Sequence, residues 1–171
     1  MQPESKDAMV EIAVSIIIVN WNTKDILRNC LASIREETQA ACEVIVIDNA
    51  SSDGSAAMIK GEFPETVLIE NDKNRGFAAA NNQGLKISRG QKVLLLNPDT
   101  IILKGAIDRM LAWLDAHPDV GCVGCQVWED QQTIQLTSFA EPGPWHVFVT
   151  EFALQRLFPK HSILGLPEYG D

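Results

Sequence analysis

Short aliphatic runs recur along the first part of the chain, none with strict alternation of apolar and polar side chains: residues 14 to 19 (VSIIIV), 43 to 47 (EVIVI), 66 to 70 (TVLIE) and 92 to 96 (KVLLL). Runs of this length and β-branched content suit strands covered on both faces, as in a parallel sheet. Between them the apolar period changes. Ile26, Leu27, Cys30, Leu31 and Ile34 recur at helical spacing behind Asn22-Thr23, a polar start of the kind that caps a helix. A second helix is expected after Ser52, Asp53 and Gly54, carrying Ala56, Ala57, Met58 and Ile59. A third covers Ala78 to Ser88, and a fourth runs through Ile107, Met110, Leu111 and Leu114 before Pro118. VGCVGCQVW then reads as another strand. The order β-α-β-α-β-α-β-α-β predicts an α/β fold, an open, mostly parallel sheet with helices on both faces.

The flanks are less regular. Residues 1–12 are polar and read as a flexible tail, leaving 13–171 as the domain. After Trp128, EDQQTIQLT suits a short hairpin or edge strand, and EPGP breaks the chain. From Trp145 to Phe158, the residues Trp145, Phe148, Val149, Phe152 and Leu157 mark an amphipathic helix. That helix is expected either to pack into the core or to mediate self-association or peripheral contact with a membrane.

Composition narrows the reading without changing it. A length of 171 residues with 46% hydrophobic content is enough for one domain with its own core. The formal charge of -9, from 23 acidic and 14 basic residues, gives no footprint for nucleic acid. The N-terminal apolar run is too short for a signal or a membrane span, so the expected location is cytoplasmic. Cys122 and Cys125 form a CxxC, but within a strand two residues three apart face opposite sides, which favours buried free thiols over a redox or zinc pair. His117, His146 and His161 lack the spacing of a metal cluster.

An open parallel sheet binds ligands beyond the carboxyl ends of its strands. Those ends are Asn20-Trp21-Asn22, Asp48-Asn49, Asn71-Asp72 and Asn97-Pro98-Asp99. Each is also compatible with ordinary turn chemistry. Asp48 can accept hydrogen bonds from a base or ribose, or cap the helix after Ser51 to Gly54. Asp99 can ligate a divalent cation or cap a turn after Pro98. Arg75-Gly76 offers a guanidinium and close backbone approach, suited to a phosphate or a base. GxxxxGK[ST], GxGxxG after the first strand, and GxSxG are all missing, which disfavours the common phosphate-loop, dinucleotide and serine-hydrolase readings. An acidic pair of the receiver type is missing as well.

Taken in order, VSIIIVNWN, EVIVIDNASSDGS, ENDKNRGFAAANNQG and KVLLLNPDTII resemble glycosyltransferase family 2, in its rhamnosyltransferase-like branch of cell-surface polysaccharide assembly. The resemblance implies the GT-A fold, a nucleotide-diphosphate sugar donor, Mg²⁺ or Mn²⁺, and inversion at the anomeric carbon. It implies that Val19, Asn20, Trp21 and Asn22 form the first nucleotide-contacting loop and that Asp48 holds base or ribose. Arg75, Gly76 and Phe77 fall in the loop beside the nucleotide. Asp99 corresponds to the metal-binding last acid of the DxD-type motif, whose first acid is replaced here by Asn97.

The family's catalytic base lies in an acidic segment after a Gly-rich strand. Glu129, Asp130 and Glu141 are the late acids before the terminal helix, and none has that context, so the base is expected beyond Asp171 and the C-terminal part of the fold is expected to be missing. The implied acceptor is a cell-surface polysaccharide or a lipid-linked saccharide. The competing readings are a nucleotide-sugar-binding module without transfer activity and a signalling or scaffold α/β domain without nucleotide.

Overall fold

The aliphatic runs become the parallel strands β1 (Val14–Asn20), β2 (Cys42–Asp48), β3 (Val67–Glu70) and β4 (Lys92–Leu96). The structure is a computed structural model, and the residues it describes are 11–129 and 133–135. Helices α1 (Lys24–Glu37), α2 (Ser55–Glu62), α3 (Phe77–Ile87) and α4 (Ala106–Ala116) alternate with the strands. The sheet order is β3-β2-β1-β4. The strand made first therefore lies inside the sheet, and every strand points the same way.

Side-chain periodicity explains the two layers. Val14, Ile16, Ile18 and Val46 pack with Leu27, Cys30, Leu31 and Ile34 of α1, Met58 and Ile59 of α2, and Ile107 and Leu111 of α4. On the other face, Ile17, Ile45 and Ile47 pack against Ala80 of α3, with Val19 and Ile69 partly buried beside them. The closeness of α3 depends on Gly84, where an added Cβ would lie 2.6 Å from Ile17 Cγ2 and 3.0 Å from Ile47 Cδ1. Helices thus lie on both faces, but among the described residues α3 alone covers the second, and there Val93 and Leu95 of β4 stay exposed; burial on both faces, expected of all four runs, holds for the inner strands β1 and β2 and not for the edge strands β3 and β4.

At the amino ends of the strands, Ser15 Oγ donates to Glu43 Oε1 (2.6 Å), and Arg89 contributes its backbone N–H (2.6 Å to Oε1) and its guanidinium (2.8 Å to Oε2). Glu43 is buried. Burial alone would raise its pKa, but the bonds from Ser15 and Arg89 outweigh it and hold the carboxyl below the usual carboxylate range.

The chain divides into two compact units, Met1–Val123 and Gly124–Asp171. In the second unit the described residues form a short antiparallel pair, β5 (Val127–Trp128) with β6 (Ile134–Gln135). This agrees with the hairpin expected around EDQQTIQLT. The strand expected over VGCVGCQVW does not form: residues 121–126 are irregular, and only Val127–Trp128 pairs. Two glycines in that stretch remove the side chains that would make a strand worth burying. Cys122 and Cys125 are accordingly exposed, not buried. The predicted helix from Trp145 to Phe158 lies outside the described residues, as do residues 1–10 of the expected tail. At the start of the described chain the Ile12 carbonyl accepts a bond from Gln91 N (3.0 Å). No helix among the described residues is long and apolar enough to cross a membrane.

Candidate functional site

Because the four strands are parallel, Asn20, Asp48, Glu70 and Leu96 all end on one edge, and the loops that follow them share it. The pairing register sets Asn20 beside Asp48. Asn20 Nδ2 donates to Asp48 Oδ1 at 2.7 Å and to Ser51 Oγ at 3.0 Å. The other carboxylate oxygen of Asp48 accepts Ser51 N–H at 2.9 Å. Asp48 is 3% exposed. A carboxylate has about four lone-pair sites, so two remain for a ligand that reaches it.

The loops after β1 and β2 are latched to each other. Asn22 N donates to Ser51 Oγ (2.9 Å), and Ser52 N donates to Asn22 Oδ1 (2.8 Å). Asn22 and Ala50 both have positive φ, 55° and 63°. Left-handed backbone at a residue with a side chain costs on the order of 1 to 2 kcal/mol, and these cross-loop bonds hold it in place. Helix capping differs from the sequence expectation. Thr23 occupies the cap position of α1, but its hydroxyl donates to Asn20 Oδ1 (2.6 Å). Asp53 does the capping instead, accepting Lys24 N of α1 at 2.8 Å and Ser55 N of α2 at 3.0 Å. Asp48 serves the turn at Ser51 and does not cap α2. Trp21, 57% exposed, projects from this edge, whereas Val19 is partly buried against the α3 side.

The loop from Asn71 to Gly76 leads into α3. Gly76 has φ 79° and ψ 164°, which a side chain would disfavour. Its N–H bonds Asn74 Oδ1 at 2.8 Å. The Arg75 guanidinium meets Asp72 at 3.0 Å, with both side chains largely in solvent. An exposed pair of this kind contributes about 1 kcal/mol or less, so an anionic ligand can displace Asp72. Phe77, 60% exposed, opens α3. Asn49, buried beside Asp48, faces this loop: its Oδ1 accepts Asn71 Nδ2 (2.9 Å) and Arg75 N (3.4 Å). The sequence names Asn49 and Asn71 only as strand ends and Asp53 only as a helix start, and gives Ser51 and Gln83 no role of their own; for Asn49, Ser51 and Asp53 the density of Asn, Ser and Asp in DNASSD is the available signal, and for Gln83 there is none.

After β4, Asn97 and Asp99 are exposed. Among the described residues no hydrogen bond engages the Asp99 carboxylate. The Asn97 carbonyl accepts Thr100 N at 3.2 Å and the Cys30 thiol at 3.8 Å. Burial first, and then the negative charge of Asp99, push that thiol up to about 12, so Cys30 is an inert packing group beneath the loop. No cluster of three or more His, Cys, Asp or Glu fit to hold a metal occurs among the described residues. A preformed protein cage for a cation does not fit this edge. A single free carboxylate does fit a cation that draws its other oxygens from a diphosphate and water.

A family model described as Glycosyl transferase family 2 matches residues 15–162. An uncharacterized glycosyltransferase of Haemophilus influenzae is 26% identical over 158 residues, covering 90% of this chain and 51% of that protein. Succinoglycan biosynthesis protein ExoO of Rhizobium meliloti is 27% identical over 117 residues, covering 68% of this chain and 33% of that protein. Among solved structures, a mannosyltransferase of Pyrobaculum calidifontis in complex with GDP-Man and Mn²⁺ superposes with a TM-score of 0.59 at 26% identity, over 66% of this chain and 35% of that one. The chain spans about half, or less, of the length of these proteins.

Proposed function

The chain belongs to glycosyl transferase family 2 and has the GT-A fold, and from that premise we propose that its strand ends hold a nucleotide-diphosphate sugar for inverting transfer to a cell-surface polysaccharide or a lipid-linked saccharide. The observation that carries this reading is the convergence of Asn20, Asp48 and Asn49 with the Arg75 loop and Asp99 on one edge of a parallel sheet. Asp48 receives hydrogens from base or ribose while Asn20 and Ser51 fix its orientation. Trp21 and Phe77 offer exposed rings to a planar base. Arg75 exchanges Asp72 for a phosphate oxygen.

Asp99, with Asn97 beside it, is the residue that would hold Mg²⁺ or Mn²⁺. When bound, the cation supplies charge neutralisation on the departing diphosphate. The mannosyltransferase complex, with its GDP-Man and Mn²⁺, supports this chemistry by similarity. The rhamnosyltransferase-like branch favours dTDP-rhamnose as donor, and the kinship with a succinoglycan biosynthesis protein supports a polysaccharide acceptor. The place we propose for this transfer is the cytoplasmic side of a membrane.

Calorimetry with UDP, GDP and dTDP, with and without Mn²⁺, tests the reading. We expect one of them to bind, more tightly with metal, and no binding by any would defeat it. A second reading, a donor-binding module without transfer by itself, shares all these contacts. Glu129 is the late acid within the described residues, and its backbone N–H bonds Thr133 O at 2.9 Å in the β5-β6 pair. Acceptor-dependent sugar transfer by the 171-residue chain, lost in Glu129→Gln, would exclude the module reading.

A further inference from the structure

Three side-chain amides meet behind the donor edge, each from a different element. Asn71, at the start of the loop that carries Arg75, and Gln83, on α3, form a reciprocal pair: Asn71 Nδ2 donates to Gln83 Oε1 at 2.9 Å and Gln83 Nε2 donates to Asn71 Oδ1 at 2.8 Å. Asn71 Nδ2 also donates to Asn49 Oδ1 at 2.9 Å. Asn49, at the end of β2, reaches the loop itself, accepting Arg75 N at 3.4 Å and donating to the Gly76 carbonyl at 3.5 Å. The loop is thus tied at its start and near its end.

The remaining anchors of that loop are weaker or local. Arg75 and Asp72 form an exposed pair within the loop, and Asn74 bonds only its own turn at Gly76. The connections from the loop to the rigid sheet are the backbone bond from Asn71 N to Asp48 O (2.9 Å) and the amide cluster. Asn49 is 2% exposed and has little water to turn to, while Asn71 and Gln83 are half-buried, so losing one partner leaves the others incompletely paired.

We infer that Asn49, Asn71 and Gln83 are positioning residues that set the place of Arg75 and Gly76 relative to Asp48, and thereby the affinity for the donor's diphosphate. The inference deepens the donor-binding reading and rests on it. None of the three amides needs to touch the donor. Their effect passes through the loop, and a neutral, fully paired cluster does this without adding charge that would oppose an anion.

The test is a double-mutant cycle on the 171-residue chain, with the tightest binder among UDP, GDP and dTDP as the probe. Gln83→Leu removes both bonds of the reciprocal pair and is expected to weaken binding about tenfold, on the order of one lost interaction of 1.4 kcal/mol. Arg75→Ala is expected to weaken it by a similar factor. The double variant should bind about as well as Arg75→Ala alone, because the cluster acts through that loop. A purely structural role would instead make the two losses multiply, and that result overturns the inference. Gln83→Met keeps the length and neutrality but neither bond of the pair and should weaken binding about as much as Gln83→Leu; should Gln83→Leu not fold, Gln83→Met enters the same cycle. Unchanged affinity in a folded Gln83 variant overturns this inference alone. No binding by the parent chain overturns the donor-binding reading and this inference with it.

Discussion

Removing the carboxylate of Asp48 separates what it does for the fold from what it does for a ligand. In Asp48→Ala, Asn20 Nδ2 loses its 2.7 Å acceptor and keeps Ser51 Oγ at 3.0 Å, while Ser51 N loses its 2.9 Å partner. Each bond to a charged acceptor contributes roughly 1.5 to 3 kcal/mol, and relief from burying the carboxylate offsets part of the sum, so about 3 kcal/mol of stability should be lost. For a chain of this size that is a fall in Tm of roughly 6 to 12 °C. Asp48→Asn behaves differently. Its amide can keep Oδ1 toward Ser51 N, and the Asn20 amide can turn over because the hydroxyls of Thr23 and Ser51 can either donate or accept. The expected cost is about 1 kcal/mol. Urea unfolding at neutral pH measures both. If Asp48 also receives donor hydrogens, Asp48→Asn should weaken nucleoside diphosphate binding about ten- to a hundredfold in calorimetry while remaining nearly as stable as the parent. A loss below about 1 kcal/mol for Asp48→Ala would refute the latch, and native affinity in Asp48→Asn would refute the contact.

Other residues offer independent checks. Asp99→Ala should abolish the enhancement of nucleotide binding by Mn²⁺ while leaving metal-free binding nearly unchanged, and enhancement that survives the change would remove Asp99 from the metal site. Glu43, whose carboxyl is held below its ordinary value of 4.5 by Ser15 and Arg89 against the effect of burial, contributes stability that is present above that pH and lost as pH falls through its folded pKa; Glu43→Gln should therefore flatten the acid limb of a Tm-versus-pH curve, and an unchanged limb would count against it. Gly84→Ala drives a methyl into Ile17 and Ile47 and should cost about 1 to 3 kcal/mol by urea unfolding; a neutral result would mean that α3 can lift from the sheet.

Strand positions were legible because the inner parallel strands are buried on both faces, so VSIIIV and EVIVI needed no alternation to declare themselves, whereas the edge strand KVLLL leaves Val93 and Leu95 exposed. The candidate edge was legible for a topological reason: once the strands are parallel, their carboxyl ends share one side, which carries Asn20, Asp48 and Asp99. Side-chain wiring was not. Asp53 caps α1 from 29 positions away, although Thr23 stands at the local cap position, because the paired register brings the two loops closer than sequence distance suggests. Gln83 looked like one more polar residue on a helix, and only the packing of α3 through Gly84 aims it at Asn71. VGCVGCQVW misled because its Val and Cys residues have strand-like composition, while its glycines supply neither side-chain cover nor rigidity.

The sheet order also sets a timetable. β1 is synthesised first yet ends up between β2 and β4, so it must wait for both partners. The first pairing brings together Asn20 and Asp48, 28 positions apart, and the second brings Gly90 back to Ser15 from 75 positions away. Until β4 arrives, one flank of a segment reading VSIIIV has open backbone groups and strongly aliphatic neighbours, the composition that pairs readily with other chains. Non-local closure is slow compared with helix formation. The nascent chain is thus vulnerable to aggregation until β4 returns, an exposure that slower elongation between Asn49 and Lys92 would lengthen and a chaperone that shields aliphatic strands would reduce.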